Sequence, residues 1–142
     1  MKTDRYHPRF YRRKMRASGL YGTEIAVKET DLSIFTDRPL NKEFVYERIR
    51  EYRQHIEEYI RRDRRFLTAL KPIAVELGGT KIVKEMAGAA RKAGVGPMAA
   101  VAGAIAQSLG KDLLREGFRE VIVENGGDIF LATRKVRTIG IY

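Results

Sequence analysis

The stretch Glu120-Val121-Ile122-Val123-Glu124-Asn125-Gly126-Gly127-Asp128-Ile129-Phe130-Leu131 decides how this chain is read. An apolar, β-branched run enters Asn-Gly-Gly-Asp and a second apolar run leaves it. As structure, this is a hairpin signal: Asn-Gly and Gly-Asp supply the positive φ angles of a tight turn, and the flanking runs supply the strands. As chemistry, two glycines let a flat or anionic ligand approach the backbone, with N–H groups and one carboxylate at the lip. Both readings stand at this point.

Working outward, residues 119–124 and 129–133 are expected as strands, with a last strand at 136–142. Upstream, Met98 to Gly110 is small and apolar nearly all round, so a buried helix is expected. Its many Ala and Gly residues imply that something packs close to its axis, either a sheet or helix, or a planar cofactor near the helix N-terminus where free N–H groups bind phosphate. Gly96-Pro97 opens that helix, because proline is tolerated in the first turn. A turn is expected at 112–117. Before it, Gly78-Gly79 breaks the chain, Thr80 caps a helix whose Val83, Met86, Ala87 and Ala90 face inward, and Gly94 ends it.

Further upstream, Val45, Ile49, Tyr52, Ile56 and Tyr59/Ile60 recur at spacings of three and four, which predicts a long amphipathic helix. Asn41 is placed to cap it, and Leu40 with Val45 take the two staple positions. Phe66, Leu67 and Leu70 are expected to finish this helix or begin a short turn against the core. Residues 24–35 read as two strands around a polar turn at Glu29 to Asp31, and 10–15 as a possible third. The expected fold class is therefore α+β: N-terminal antiparallel strands, a long amphipathic helix, two further helices and a C-terminal strand hairpin, in one domain over residues 1–142.

Composition narrows the chemistry. The 142 residues include no cysteine and only His7 and His55, so disulfides, thiolate metal sites and histidine-based triads have almost no material. No stretch approaches the roughly 20 apolar residues that span a bilayer, and the Arg-rich start lacks the apolar core of a signal peptide. A cytoplasmic location with no membrane partner is expected. The formal charge of +10 is uneven: residues 1–16 hold seven cations (Lys2, Arg5, Arg9, Arg12, Arg13, Lys14, Arg16) against Asp4. Such a footprint attracts phosphates without specificity. Tyr6, Phe10 and Tyr11 interleave with these arginines, which would suit base stacking or one buried face of a strand.

Four motifs taken together resemble the ApbE-like superfamily, named for the flavin transferase ApbE, and within it an uncharacterised branch. They are Arg9-Phe10-Tyr11-Arg12-Arg13, Val27-Lys28-Glu29-Thr30-Asp31-Leu32, the run from Ala93 through Gly94, Val95, Gly96, Pro97, Met98, Ala99 and Ala100 to Gly103, and Val123-Glu124-Asn125-Gly126-Gly127-Asp128-Ile129. The resemblance implies an α+β fold whose better-known relatives bind FAD and Mg²⁺ and transfer FMN to a protein hydroxyl. It places a cofactor contact at Gly96, Pro97, Met98 and Ala99 and at Asn125, Gly126, Gly127 and Asp128. No catalytic residue and no metal ligand set is assigned.

Two departures bear on activity. Where the flavin transferases carry a Lys and an Asp on one helix, this chain has Ala100 and Ile105. Members of the similar branch also continue for about another hundred residues, through a metal-binding segment of Ala-Asp-Ala-x-Ala-Thr type. Residues 1–142 are accordingly expected to be the N-terminal portion of the family's domain, pairing with a complementing C-terminal half or with itself. A lone Asp128 falls short of the oxygen ligand set that Mg²⁺ takes. The expected function is an ApbE-like protein of undetermined activity that binds a flavin or another nucleotide, linked loosely by the resemblance to anaerobic sulfur and homocysteine metabolism. The alternatives are a nucleic-acid-binding module using the Arg-rich start, though nucleic acid is not the favoured partner, and a noncatalytic subunit.

Overall fold

A computed structural model describes residues 19–75 and 78–140. Two hairpins build one antiparallel sheet. The first joins β1 (Tyr21–Val27) to β2 (Thr30–Thr36); the second joins β3 (Val121–Asn125) to β4 (Asp128–Ala132), and the order across the sheet is β1-β2-β3-β4. At the second turn Gly126 has φ 60° and Gly127 φ 99°. Two successive positive angles match the right-handed twist of the flanking strands, which is why the hairpin signal in the sequence translates directly into structure. The first turn sits one residue earlier than expected: Val27 pairs with Thr30, leaving Lys28 and Glu29 as the loop. Lys28 accepts φ 52°, and so the loop closes without a glycine.

The central register pairs Leu32 with Asn125, Ile34 with Val123 and Thr36 with Val121. Strand alternation puts Ile25, Leu32, Ile34, Val121 and Val123 on one face, where the helices cover them completely or nearly so. The first covering helix is α1 (Lys42–Arg62), capped by Asn41, whose Oδ1 accepts from the N–H of Glu43 at 3.0 Å and of Phe44 at 3.4 Å. Its buried stripe is Val45, Ile49, Tyr52, Ile56 and Tyr59. Each such side chain contributes about 1.5–3 kcal/mol of burial. After Asp63 the chain forms α2 (Arg65–Thr68), and Phe66 is buried edge-on against Tyr59, 5.0 Å between ring centres. The expectation for its neighbours fails: Leu67 is exposed and Leu70 is 88% exposed. A single turn of helix presents only one residue to the core, and Phe66 takes that place.

In α3 (Lys81–Ala93), Ile82, Val83, Met86, Ala87 and Ala90 face inward, and Gly94 at φ 71° donates its N–H to the carbonyls of Ala90 and Arg91. Thr80 takes the N-cap position but makes no cap bond, and its Oγ1 is buried without a hydrogen-bond partner. A 3₁₀ turn over Pro97–Ala100 then leads into α4 (Val101–Arg115). This helix outruns the expected turn at 112–117, because Ile105, Leu109 and Leu113 continue one apolar row by fours and all three are buried. Nor is it interior all round: Ala102, Gly103, Ala104 and Gln107 are half-exposed. The row under α4 is the sheet's β3–β4 hairpin. The closest approach is at Gly110, where an added Cβ would stand 2.0 Å from Cδ1 of Phe130.

No strand forms over residues 133–140, contrary to the expectation of a last strand at 136–142. Thr133 instead turns its hydroxyl to the carbonyl of Lys135 at 3.0 Å, a local bond that competes with extended pairing, and Val136 is fully exposed. Arg137 pairs with the buried Glu120, whose carboxyl is held below its ordinary range chiefly by that guanidinium. The 10–15 region lies outside the described residues. No single helix among the described residues is long and apolar enough to cross a membrane.

Candidate functional site

The two glycine-bearing motifs, about two dozen residues apart, meet at one end of the sheet. Asn125 closes β3, and its Nδ2 donates to the carbonyl of Ala102 in the first turn of α4 at 3.1 Å. One residue further into the helix, Gly103 faces Asp128; a Cβ there would lie 3.7 Å from the carboxyl carbon. The turn is held from below by Glu124, fully buried, whose Oε1 accepts from the N–H of Gly127 at 2.8 Å. Gly126, Gly127 and Asp128 remain exposed at the lip.

The residues expected to touch a cofactor divide by position. Gly96 and Pro97 are buried, and Gly96 packs so tightly that an added Cβ would stand 1.7 Å from the carbonyl oxygen of Ala69. They aim the chain into α4. Met98 is half-buried and Ala99 exposed, and each lines an opening on one side of the helix start.

On the Met98 side the opening encloses about 820 Å³, including space open to solvent. Its walls are apolar: Ile56 and Ile60 of α1 face Met98, Val101 and Ile105. The polar groups gather at one corner, where Thr30, Arg53 and Asn125 converge. Arg53 is largely withdrawn from solvent; it donates to Thr30 Oγ1 at 2.9 Å and to Glu29 Oε2 at 2.6 Å, with Glu57 at 3.5 Å. Its Nε is buried with no hydrogen-bond partner. Glu29's carboxyl is held below the ordinary range, first by its own backbone N–H and then by Arg53. An apolar slot with a few convergent polar groups is the usual form of a small-molecule site. On the Ala99 side a second opening, about 800 Å³ with its solvent-facing space, is bordered by Ala100, Gly103, Asp128 and Phe130.

A separate polar cluster lies between α1, α3 and α4. Tyr52 donates to Asp112, which also pairs with Arg115; Arg48 pairs with Glu51 at 3.0 Å and Lys111 with Glu85 at 3.8 Å. Burial pushes the Tyr52 hydroxyl well above its ordinary value, and the bond to Asp112 adds to that. The pairing is incomplete: Arg48 Nε and Glu85 Oε2 are buried with no hydrogen-bond partner.

The sequence placed Thr30 in one of the four motifs and in a polar turn but offered no sign of Arg53 as its partner. Their bond spans 23 positions and is created only when the β1–β2 hairpin is laid across α1. Asp112 was expected in a turn and instead faces Tyr52 from inside α4; the apolar row through Leu113 was the available signal. The Mg²⁺ implied by the resemblance does not fit the groups present: among the described residues no three His, Cys, Asp or Glu side chains cluster to hold a metal, and Glu124 is already spent on Gly127.

Comparison with known proteins places these features in a wider set. The family described as AbpE bacteria matches residues 12–142. The UPF0280 protein of Methanococcus maripaludis strain C5 is 40% identical over 119 residues, covering 84% of this chain and 48% of the relative. That of Methanospirillum hungatei is 41% identical over 116 residues, covering 82% and 47%. That of Methanothermobacter thermautotrophicus is 48% identical over 90 residues, covering 63% and 35%. The chain spans about half the length of the curated relatives it matches.

Proposed function

Because the chain belongs to the AbpE bacteria family, we propose that it is an ApbE-like protein that binds a flavin or another nucleotide where the start of α4 meets the Asn125–Asp128 turn. The observation that carries this is the joining of the two motifs by the Asn125–Ala102 bond beside an apolar slot with a polar corner. A planar ring would lie between Ile56, Ile60 and Met98, with Thr30, Arg53 and Asn125 reading its edge. The exposed Gly126-Gly127-Asp128 backbone would face the ribose or phosphate side, where bare glycines allow close approach. Mg²⁺, if it takes part, would arrive with the nucleotide's own phosphates or with residues outside those described.

The test is a visible absorbance spectrum of freshly purified protein, followed by titration with FAD, FMN and ATP, each with and without Mg²⁺. Saturable binding that weakens at least about tenfold in Met98→Glu is the expected result; a charge buried in the slot costs that much or more. A colourless protein that binds none of the three would sink the reading. The charge of +10 supports a second reading, nucleic-acid binding through the Arg-rich start. That would show as an affinity falling steeply with salt.

A further inference from the structure

The two edges of the sheet differ. β1, YGTEIAV over Tyr21–Val27, ends on apolar residues but carries Gly22 and the charged Glu24 within it, interruptions of the kind that resist pairing. β4 presents Ile129, Phe130 and Leu131, with no charge, proline or bulge among them, and Leu131 is 45% exposed. Asn125 and Asp128 flank a two-residue loop and so exchange both of their hydrogen bonds. Alternation then turns the N–H and C=O of Ile129 and Leu131 away from β3. Among the described residues no strand lies on that side. Beside this edge the second opening is floored by a small-residue shelf of Ala99, Ala100, Gly103 and Ala104, ending at Phe130. Small side chains allow a second backbone to come close.

We propose that β4 is the joint at which the other half of the family's length docks: a strand from that half pairs with Ile129 and Leu131, and the segment next to it seats on the Ala99–Ala104 shelf. The occupant is set by length. The matched region is 48% of the Methanococcus maripaludis relative, so more than half of that protein lies outside it and has to pack against something. The most apolar unpaired edge among the described residues is the place where strand addition satisfies backbone groups and covers apolar surface together. The docked half would also stand over Asp128, at the lip of the nucleotide site. The docking itself does not depend on any nucleotide.

The test is co-expression of this 142-residue chain with the part of the Methanococcus maripaludis relative that lies outside the match, followed by light scattering and amide hydrogen exchange. A one-to-one complex is expected, with exchange at Ile129 and Leu131 slowed about tenfold or more. Leu131→Pro should abolish the complex while leaving the isolated chain's thermal midpoint near that of the parent, since the lost N–H points outward and prolines are tolerated at such edges. If the relative's segment is insoluble alone, the intact relative is used, and slow exchange is expected at the outward amides of its strand matching 129–131. A complex indifferent to Leu131→Pro, fast exchange in the intact relative, or a homodimer of this chain sealed through β4 that excludes the segment would each overturn the proposal. Nucleotide binding is scored separately by the spectra above, so either idea can fail without the other.

Discussion

The side-chain amide of Asn125 reaches the carbonyl of Ala102 at 3.1 Å, tying the last residue of β3 to the first turn of α4. Asn125 is nearly fully buried, and it sits on the helix-facing side of the sheet between Leu32 and Asp128. A buried carboxamide is costly unless its groups find partners. The bond fixes the tilt of the helix start relative to the glycine turn, and so the width of the proposed slot. Asn125→Ala should cost about 1–3 kcal/mol in chemical denaturation, because the loss leaves a small void and a carbonyl short of one donor. Asn125→Asp should cost more, since it sets a buried carboxylate against that carbonyl; equal costs would show that the bond does not matter.

Within the turn the two glycines are not equivalent. Gly126 at φ 60° lies in the left-handed region that Asn tolerates, whereas Gly127 at φ 99° lies beyond it. Gly126→Asn is expected to fold with a thermal midpoint close to the parent's. Gly127→Val is expected to lose about 1–3 kcal/mol from backbone strain alone, as nothing stands within 4 Å of its added Cβ. If the two variants melt alike, the turn has relaxed out of this geometry.

Small residues along α4 likewise serve different ends. At Gly110 an added Cβ would stand 2.0 Å from the Phe130 ring, which is packed against the core and cannot retreat freely. Gly110→Ala should therefore destabilise by about 1–3 kcal/mol. At Gly103, in the first turn of α4, the same change meets only Asp128 at 3.7 Å, and replacing glycine by alanine there favours the helix by a few tenths of the roughly 1 kcal/mol it is worth in a helix interior. Opposite signs in urea denaturation are the expected outcome, and a loss at Gly103 matching that at Gly110 would contradict the packing.

These pairs show how far local chemistry reaches. The Gly126-Gly127 hairpin and the Asn41 cap were legible because each depends on residues within a few positions. The stripe of α1 was legible because one periodic face serves one interface. The end of α4 was misjudged because Asp112 is polar, and its partner Tyr52 lies 60 positions away. The Arg53 corner of the slot was invisible for the same reason: Arg53 lies on α1, whereas Thr30 and Glu29 sit on the β1–β2 hairpin. The small-residue pattern announced a close neighbour to α4 but not which position met it, since Gly103 and Gly110 differ only in what the sheet places opposite them.

A last prediction concerns Asp37, in the loop after β2, whose Oδ1 accepts from the backbone N–H of Arg119 at 3.1 Å and of Glu120 at 3.3 Å. It clamps the entry to β3, helped by Arg38, which donates to the carbonyl of Glu116 at 2.6 Å and stacks 4.2 Å over Phe118. Burial alone would raise the carboxyl's pKa, but the N–H groups of Arg119, Glu120 and Asp37 itself, together with the nearby Arg38 charge, outweigh it and the net displacement is downward. A folded pKa below the unfolded one means that the unfolded chain binds the proton first. The stabilisation is then fully present above about pH 4, the unfolded value, and is lost as pH falls through the lower folded value. Asp37→Asn keeps an acceptor oxygen but removes the charge. It should therefore be less stable than the parent by about 1–2 kcal/mol at neutral pH, the difference between a charged and a neutral acceptor. Urea denaturation from pH 7 downward should show that gap holding to about pH 4 and closing below it. A gap that stays constant through the acid range would mean that Asp37 carries no charge in the folded protein or that its bonds are made elsewhere.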